Sequence, residues 1–282
     1  MPYTRKQPTS DREKKSPGEL IMEPTGQTQP ISGVLVDLAG VVYQGDSLLP
    51  GVIDAVSRLK QRIPHVRYLT NTSRSTRRSL VGRLVKLGLQ IDEEDVFSAP
   101  QAARQLLQQR GLRPLLLIHP DLELEFSDLS TDNPNAIVLG DTGPSLTYDG
   151  LNRAFRLLMD GCPLIAMGRN RYFREADGLS LDAGPFAAAL EYAAGIKAEV
   201  VGKPAPDFFH RALADAHCPA SESVMIGDDV QDDVCGAISA GLRGILVRTG
   251  KYRPNDESRL PKTGASVADN LSAAVDQILV EH

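Results

Sequence analysis

Four short apolar runs in this chain each end in residues that are costly to bury alone. The first, Gly33-Val-Leu-Val-Asp37, closes on a carboxylate and is followed by Leu38-Ala39-Gly40, where the chain must turn. The run before Thr70-Asn71, the one before Gly202-Lys203-Pro204 and Val224-Met-Ile226 before Gly227-Asp228-Asp229 follow the same plan. Stretches with helical periodicity separate these runs, a rhythm that predicts βαβ units around a parallel sheet. Sheets of this kind bind ligands in the crevice above the carboxyl ends of their strands. A charge placed there needs a partner. Four polar strand ends therefore predict one assembled centre.

The expected elements are strands at 34–38 and 66–70 with helices at 51–61 and 75–87. The rhythm resumes with a helix at 186–194, a strand at 199–201, a helix at 207–216 behind Pro206, a strand at 224–226, a helix at 232–240 stopped by Gly241, a strand at 244–247 and a helix at 270–280. Residues 99–182 carry strands of their own at 115–118, 136–139 and 163–167 and a helix at 151–160. The expected fold is α/β: a Rossmann-like, doubly wound parallel sheet formed by 31–98 and 183–282, with an α/β cap, 99–182, inserted into it. A length of 282 residues suits two such units. Two connections to the insert make hinge closure over the crevice a natural motion. Residues 1–30 offer little to bury and are expected to be a disordered extension.

Charge and composition narrow the function. A net charge of −5 does not favour a nucleic-acid groove, which needs a clustered basic face. Arg74, Arg77 and Arg78 form a small basic group that is either a solvated helix face or an attraction for anionic substrates. No apolar stretch has the length to span a bilayer, and the first 30 residues lack the apolar segment of a signal peptide. Cys162, Cys218 and Cys235 are odd in number and lack metal-ligand spacing, His217-Cys218 included. A reduced, cytoplasmic protein without nucleic-acid or membrane partners is expected.

The strand ends suit phosphoryl chemistry. Asp37 can attack phosphorus and form an aspartyl-phosphate. Two anions must then approach each other, and Mg²⁺, which takes hard oxygen ligands, suits that task. Asp37, Asp228 and the carbonyl of Ala39 would bind it, while Asp229 and Asp233 would orient those groups. Four aspartates within Asp228–Asp233 would repel strongly without a cation, although one of them can simply cap the following helix. Lys203 can hold Asp37 and the incoming phosphoryl oxygens, or be an ordinary loop lysine. Thr70-Asn71-Thr72-Ser73 offers donors for phosphate oxygens, or a helix cap box. No nucleotide phosphate loop is present, since Gly250-Lys251 is followed by Tyr252; nor is there a dinucleotide fingerprint or a hydrolase nucleophile elbow.

Taken in order, Asp37-Leu-Ala-Gly, Thr70-Asn, Gly202-Lys-Pro and Gly227-Asp-Asp-x3-Asp233 resemble the haloacid dehalogenase superfamily. The members with a large α/β cap inserted between the second and third motifs match this layout, over about residues 31–280. Longer strings, among them Gly111-Leu-Arg-Pro and Val247-Arg-Thr-Gly-Lys-Tyr-Arg-Pro254, resemble a branch that acts on phosphoramidates and pyrophosphate. The resemblance implies a Mg²⁺-dependent phosphatase in which Asp37 is phosphorylated, Lys203 neutralises charge, Thr70 and Asn71 bind phosphate, and Asp228 binds metal. It further implies a homodimer formed largely through the caps, and a substrate that is a small phosphate compound or a phosphorylated protein side chain.

One position departs from the superfamily pattern. A second Asp, acting as general acid and base, usually stands two residues after the nucleophile; here that residue is Ala39, and the branch just described has Ser. General acid–base assistance contributes roughly 10²–10⁴-fold. Alkyl phosphates, whose alkoxide needs a proton, would suffer most, whereas imidazole or phosphate leaves more readily. Labile phosphates and slow turnover are therefore expected. The rival reading is a regulatory protein that keeps the metal and phosphate site but turns over little. A metal-free dehalogenase is disfavoured by the acidic 227–233 loop. Arg169-Asn-Arg-Tyr172 in the insert either faces the crevice and reads the leaving group or forms a solvated loop.

Overall fold

The computed structural model describes residues 30–175, 178–214 and 218–280. The extension expected at 1–30 lies, apart from Pro30, outside the described residues, as do His217 and the last two residues of the helix expected at 207–216.

A six-stranded, wholly parallel sheet forms the larger unit. Its strands are β1 (Gly33–Asp37), β4 (His65–Thr70), β5 (Val96–Ser98), β12 (Ser223–Gly227), β13 (Arg243–Val247) and β14 (Ala265–Ala268). They lie in the order β14-β13-β12-β1-β4-β5. The chain winds outward from β1 through β4 to β5, then returns to the other side of β1 at β12. The strand order reverses at β1 and β12, and there the crevice opens. Asp37 lies in register with Leu69, and Val36 with Ile226. The ends of β12, β1 and β4 are therefore immediate neighbours.

Both faces of this sheet are covered, as an all-parallel sheet requires. Side chains alternate between the faces. Val34, Val36, Tyr68, Val96 and Ile226 join one apolar cluster, and Leu35, Leu69, Phe97 and Met225 join another. The first is closed by α1 (Val52–Arg62), α2 (Arg77–Lys86) and α8 (Leu271–Val280). The second is closed by α3 (Ala99–Arg110), α6 (Pro206–Ala214) and α7 (Gly236–Ser239). Among the described residues no helix is long and apolar enough to cross a membrane.

The inserted unit has a parallel sheet of its own in the order β11-β8-β7-β6, from β6 (Pro114–Leu117), β7 (Ala136–Leu139), β8 (Leu164–Ala166) and β11 (Glu199–Val200). Its outer face packs on α4 (Tyr148–Met159) and α5 (Ala183–Ala194). Two hairpins complete the described strands: β2 (Tyr43–Gln44) with β3 (Ser47–Leu48) beside the crevice, and β9 (Tyr172–Glu175) with β10 (Gly178–Leu181) from the insert.

Two features differ from the sequence reading. The second sheet does not end at residue 182: α5 packs on it, and Glu199 and Val200 pair with Ile165 and Ala166, so the return to the first sheet follows β11. Periodicity assigned 199–201 its strand, but a short strand carries no mark of which sheet it joins. Nor are the two units joined by bare connectors. Val138, Ile165 and Met167 from the inserted sheet share one apolar cluster with Leu35, Leu69 and Phe208 from the first, and α3 lies in that cluster. Alanines 99, 102 and 103 let α3 fit there, between a Ser98 side chain that accepts from Gln101 N–H and a left-handed Gly111 at its end.

Phe208 is fully buried in that shared cluster, its ring 5.1 Å from that of Phe97. Phe208→Ala should cost about 3–5 kcal/mol in urea unfolding. Amide exchange should accelerate in β7 as well as in β12, because one cluster supports both sheets. Wild-type protection of β7 beside a weakened β12 would show that the sheets are stabilised separately.

Candidate active site

The four polar strand ends meet. Asp37 at the end of β1, Lys203 in the β11–α6 loop, and Asp228 and Asp233 after β12 are all buried. The Lys203 Nζ donates to Asp37 Oδ1 and, at 2.6 Å, to Asp233 Oδ1. Burial works against an ammonium here, yet Asp233 and Asp37 outweigh it and raise the Lys203 pKa above the ordinary lysine value.

Asn71 fixes the lysine through the backbone. Its amide nitrogen donates to the Lys203 carbonyl at 2.9 Å and its oxygen accepts from the Lys203 N–H at 2.8 Å. Asn71, expected to bind phosphate, has both ends of its side-chain amide on the lysine loop. Thr70, also buried, accepts from Thr72 N–H at 3.1 Å, leaving its hydroxyl proton free to donate.

The acidic loop divides its labour. Asp229 Oδ1 accepts from Gln231 N–H at 2.9 Å and Asp232 N–H at 3.0 Å, capping a wide π-helical turn at Val230–Cys235. That is the capping role one aspartate in this run was able to take. Asp233 has both oxygens engaged, one by Lys203 and the other by Asp229 N–H at 3.0 Å. Asp228 Oδ2 accepts from Lys251 N–H at 2.7 Å, and its other oxygen is left for a ligand. Asp232 is half-buried at the cleft, and burial with Asp229 and Asp233 nearby lifts its pKa to about 7.

These carboxylates suit a hard cation. Asp37, Asp228 and Asp233 each offer an oxygen within 4.8 Å of the other two. Burial, then Asp37 and Asp233, push Asp228 up to about 8. Burial also raises Asp37, to about 6, against the pull of Lys203. A buried centre with more carboxylates than ammonium groups is relieved by a divalent ion with oxygen ligands.

Several contributors escaped the sequence reading. A Cβ on Gly40 would lie 2.0 Å from Asp228 Oδ2, and one on Gly250 would lie 1.9 Å from it. Both glycines also hold positive φ, +88° and +60°, so only this residue type lets the two loops close on Asp228. Thr249 Oγ1 donates to the Gly40 carbonyl at 2.5 Å, tying the loops together. Thr249-Gly250-Lys251 follows the end of β13, a strand-end position like those of Asp37 and Asp228.

Above the buried group lies a cleft of about 820 Å³. Exposed Ala39 lines it together with buried Gly40 and Asp228, and Arg169–Phe173 reach it from the insert. Arg169 is forked onto buried Glu191 at 2.9 and 2.7 Å. The basic group after Asn71 is neutralised by carboxylates: Arg74 pairs with Asp141 of the insert, and Arg77 and Arg78 with Glu93.

Comparison with known proteins agrees with this geometry. A model of haloacid dehalogenase-like hydrolases matches residues 34–130, and a HAD-hydrolase-like model matches 200–274. The Homo sapiens phospholysine phosphohistidine inorganic pyrophosphate phosphatase is 46% identical over 258 residues, 89% of this chain and 95% of its own. Haloacid dehalogenase-like hydrolase domain-containing protein 2 of Bos taurus is 45% identical over 249 residues, 88% of this chain and 96% of its own. Among solved structures, the 4-nitrophenylphosphatase of Thermotoga maritima has a TM-score of 0.81 at 29% identity, covering 88% of this chain and 97% of that one. The Mycobacterium tuberculosis glycerol phosphate phosphatase in complex with magnesium has a TM-score of 0.75 at 25% identity, covering 86% and 76%. With its ordered strand-end residues assembled on this sheet, the chain belongs to the haloacid dehalogenase-like hydrolases.

Proposed function

We propose that this chain is a phosphatase of the haloacid dehalogenase type that acts on labile phosphates, phosphoramidates or inorganic pyrophosphate, through a phosphorylated Asp37. The observation that carries the reading is Lys203 bridging Asp37 and Asp233 next to the Asp228 carboxylate, beneath an open cleft. The names of the relatives, phosphatases of phospholysine, phosphohistidine and pyrophosphate, support that substrate class.

In the first step an Asp37 oxygen forms a bond to phosphorus as the P–N or P–O bond to the leaving group breaks, its electron pair departing with nitrogen or oxygen. Lys203 remains protonated, holding Asp37 in place and offering its charge to the phosphoryl oxygens. Thr70 donates its hydroxyl to the same oxygens. Mg²⁺ would be held by Asp37, Asp228 and the Ala39 carbonyl, supplying positive charge between the two anions. Asp233 and Asp229 act through others, one on Lys203 and one on the turn that carries Asp233. Water then attacks phosphorus as the P–O bond to Asp37 breaks, the electron pair returning to the carboxylate and the water's proton leaving with phosphate or solvent.

Ala39 sets the substrate range. Its methyl group lines the cleft where the general acid of most relatives in the superfamily would stand, so no carboxyl is available there to protonate an alkoxide. Imidazole or phosphate needs less help.

Phosphate release from pyrophosphate or N-phosphoimidazole with Mg²⁺ should vanish in Asp37→Asn and in chelator; undiminished release by that variant would overturn the nucleophile assignment. Ala39→Asp should raise activity on alkyl or aryl phosphate esters by about 10²-fold, the lower end of what a general acid contributes. No gain in a folded, metal-binding variant would mean that something other than the missing acid limits esters. Asn71→Ala removes two hydrogen bonds from the lysine loop and should cost about 1–3 kcal/mol of stability. Its kcat should fall more than its KM rises, because Lys203 shifts while the Thr70 hydroxyl stays. An unchanged kcat would separate the asparagine from lysine placement.

A further inference from the structure

The cleft has two walls, and each carries an arginine that no described side chain neutralises. Arg171 belongs to the insert, just before β9, and Arg253 follows the Thr249–Lys251 loop of the first sheet. Both are exposed and both line the same cleft of about 820 Å³ as Asp228. Other basic residues of the cleft are engaged: Arg169 with Glu191, Arg259 with Asp256 at 3.2 Å, Lys251 with Asp229 at 3.6 Å. Among the described residues, neither Arg171 nor Arg253 has a side-chain hydrogen bond or ion pair.

Their backbones, by contrast, are tied down. Asp182 N–H donates to the Arg171 carbonyl at 3.3 Å, and Gly184 N–H to the Asn170 carbonyl at 3.0 Å. A Cβ on Gly184 would lie 2.5 Å from the Arg169 and Asn170 carbonyls, so this loop sits hard against the start of α5. Phe173, two residues on, packs its ring 4.4 Å from the Arg74 guanidinium. On the other wall, Arg253 N–H donates to Asp256 at 2.8 Å and its carbonyl accepts from Asp256 N–H at 3.1 Å. Two residues earlier, Lys251 N–H holds Asp228 itself. A fixed backbone bearing a free guanidinium presents a planar fork of donors, and less ordering is left to be done when an anion arrives.

The position of these arginines sets what they can hold. The transferred phosphoryl group must reach Asp37, which lies below the cleft, so the atoms beyond the breaking bond project outward between the walls. A neutral leaving group such as imidazole gains little from two guanidinium groups there. A second phosphate gains a charge-assisted fork from each side. The geometry points to Arg171 and Arg253 as a two-sided anion site for the leaving group, selecting substrates whose leaving group is itself anionic, such as the second phosphate of a pyrophosphate linkage. This assignment rests on the phosphatase reading above.

Two measurements test it. In an Asp37→Asn background, calorimetry at fixed Mg²⁺ compares pyrophosphate with orthophosphate. Arg171→Ala and Arg253→Ala should each weaken pyrophosphate about tenfold, and orthophosphate less than about twofold; Arg→Lys should restore part of the loss. In the active protein, the same changes should lower kcat/KM for pyrophosphate relative to N-phosphoimidazole by about tenfold each. Equal losses on both ligands, no loss on either, or a parent that binds pyrophosphate no better than orthophosphate would overturn the anion site. If the unmodified protein hydrolyses neither substrate, the phosphatase reading falls, while the calorimetry still judges the arginines.

Discussion

The buried ammonium of Lys203 between Asp37 and Asp233 is the interaction on which the rest of the centre depends. Three charges taken out of water are tolerated only when their geometry is good and the remaining hydrogen-bonding capacity is met. The chain meets both conditions from several directions. Asn71 grips both polar atoms of the Lys203 peptide backbone, and Asp229 N–H occupies the second oxygen of Asp233. These residues come from four separate parts of the sequence, so the centre exists only once β1, β4 and β12 lie side by side and the loop after β11 reaches them. Fold and site are in this sense one condition.

Close approach of backbone is the second condition. Asp228 is enclosed by Gly40 and Gly250, and Gly227 leaves room for the Asp233 side chain, which a Cβ there would meet at 2.2 Å. Gly202 sits in an equally tight place, where a Cβ would lie 2.2 Å from the Met167 carbonyl and 2.6 Å from Asn71 Oδ1. That last contact joins the lysine loop to the inserted sheet and to the asparagine that fixes it. The glycines beside Asp37, Lys203 and Asp228 are thus there for space as much as for turning.

Much of this was legible in the sequence because its causes are local. A short β-prone run, its polar end and a helical period after it can be read from a window of a dozen residues. Asp37, Lys203, Asp228 and Asp233 emerged that way, and the structure brings them together. What escaped depends on long-range pairing. Nothing in Glu199-Val200 says that it pairs with β8 and not with the first sheet. The service of Asn71 to a lysine 132 positions away has no local mark, nor does the pairing of Arg74 with Asp141. Thr249-Gly250-Lys251 is the exception: like the other site residues it stands just beyond an apolar run, Gly244–Val247, and is legible there.

The shared apolar cluster bears on how such a centre chooses its substrates. A cap on bare hinges can select by closing, since binding energy then assembles the site. Here α3, Val138, Ile165 and Met167 pack in one cluster with Leu35, Leu69 and Phe208, and Arg74 joins the loop after Asn71 to Asp141 and Phe173 of the insert. Separating the two units would expose that cluster at roughly 25 cal/mol for each Å² of apolar surface. Packed interfaces of this kind favour discrete arrangements over continuous deformation. On the proposed function, selection then falls to the side chains fixed along the cleft walls and to the residue at position 39. On that same proposal, the methyl group of Ala39 has no proton to give to a leaving group in that cleft.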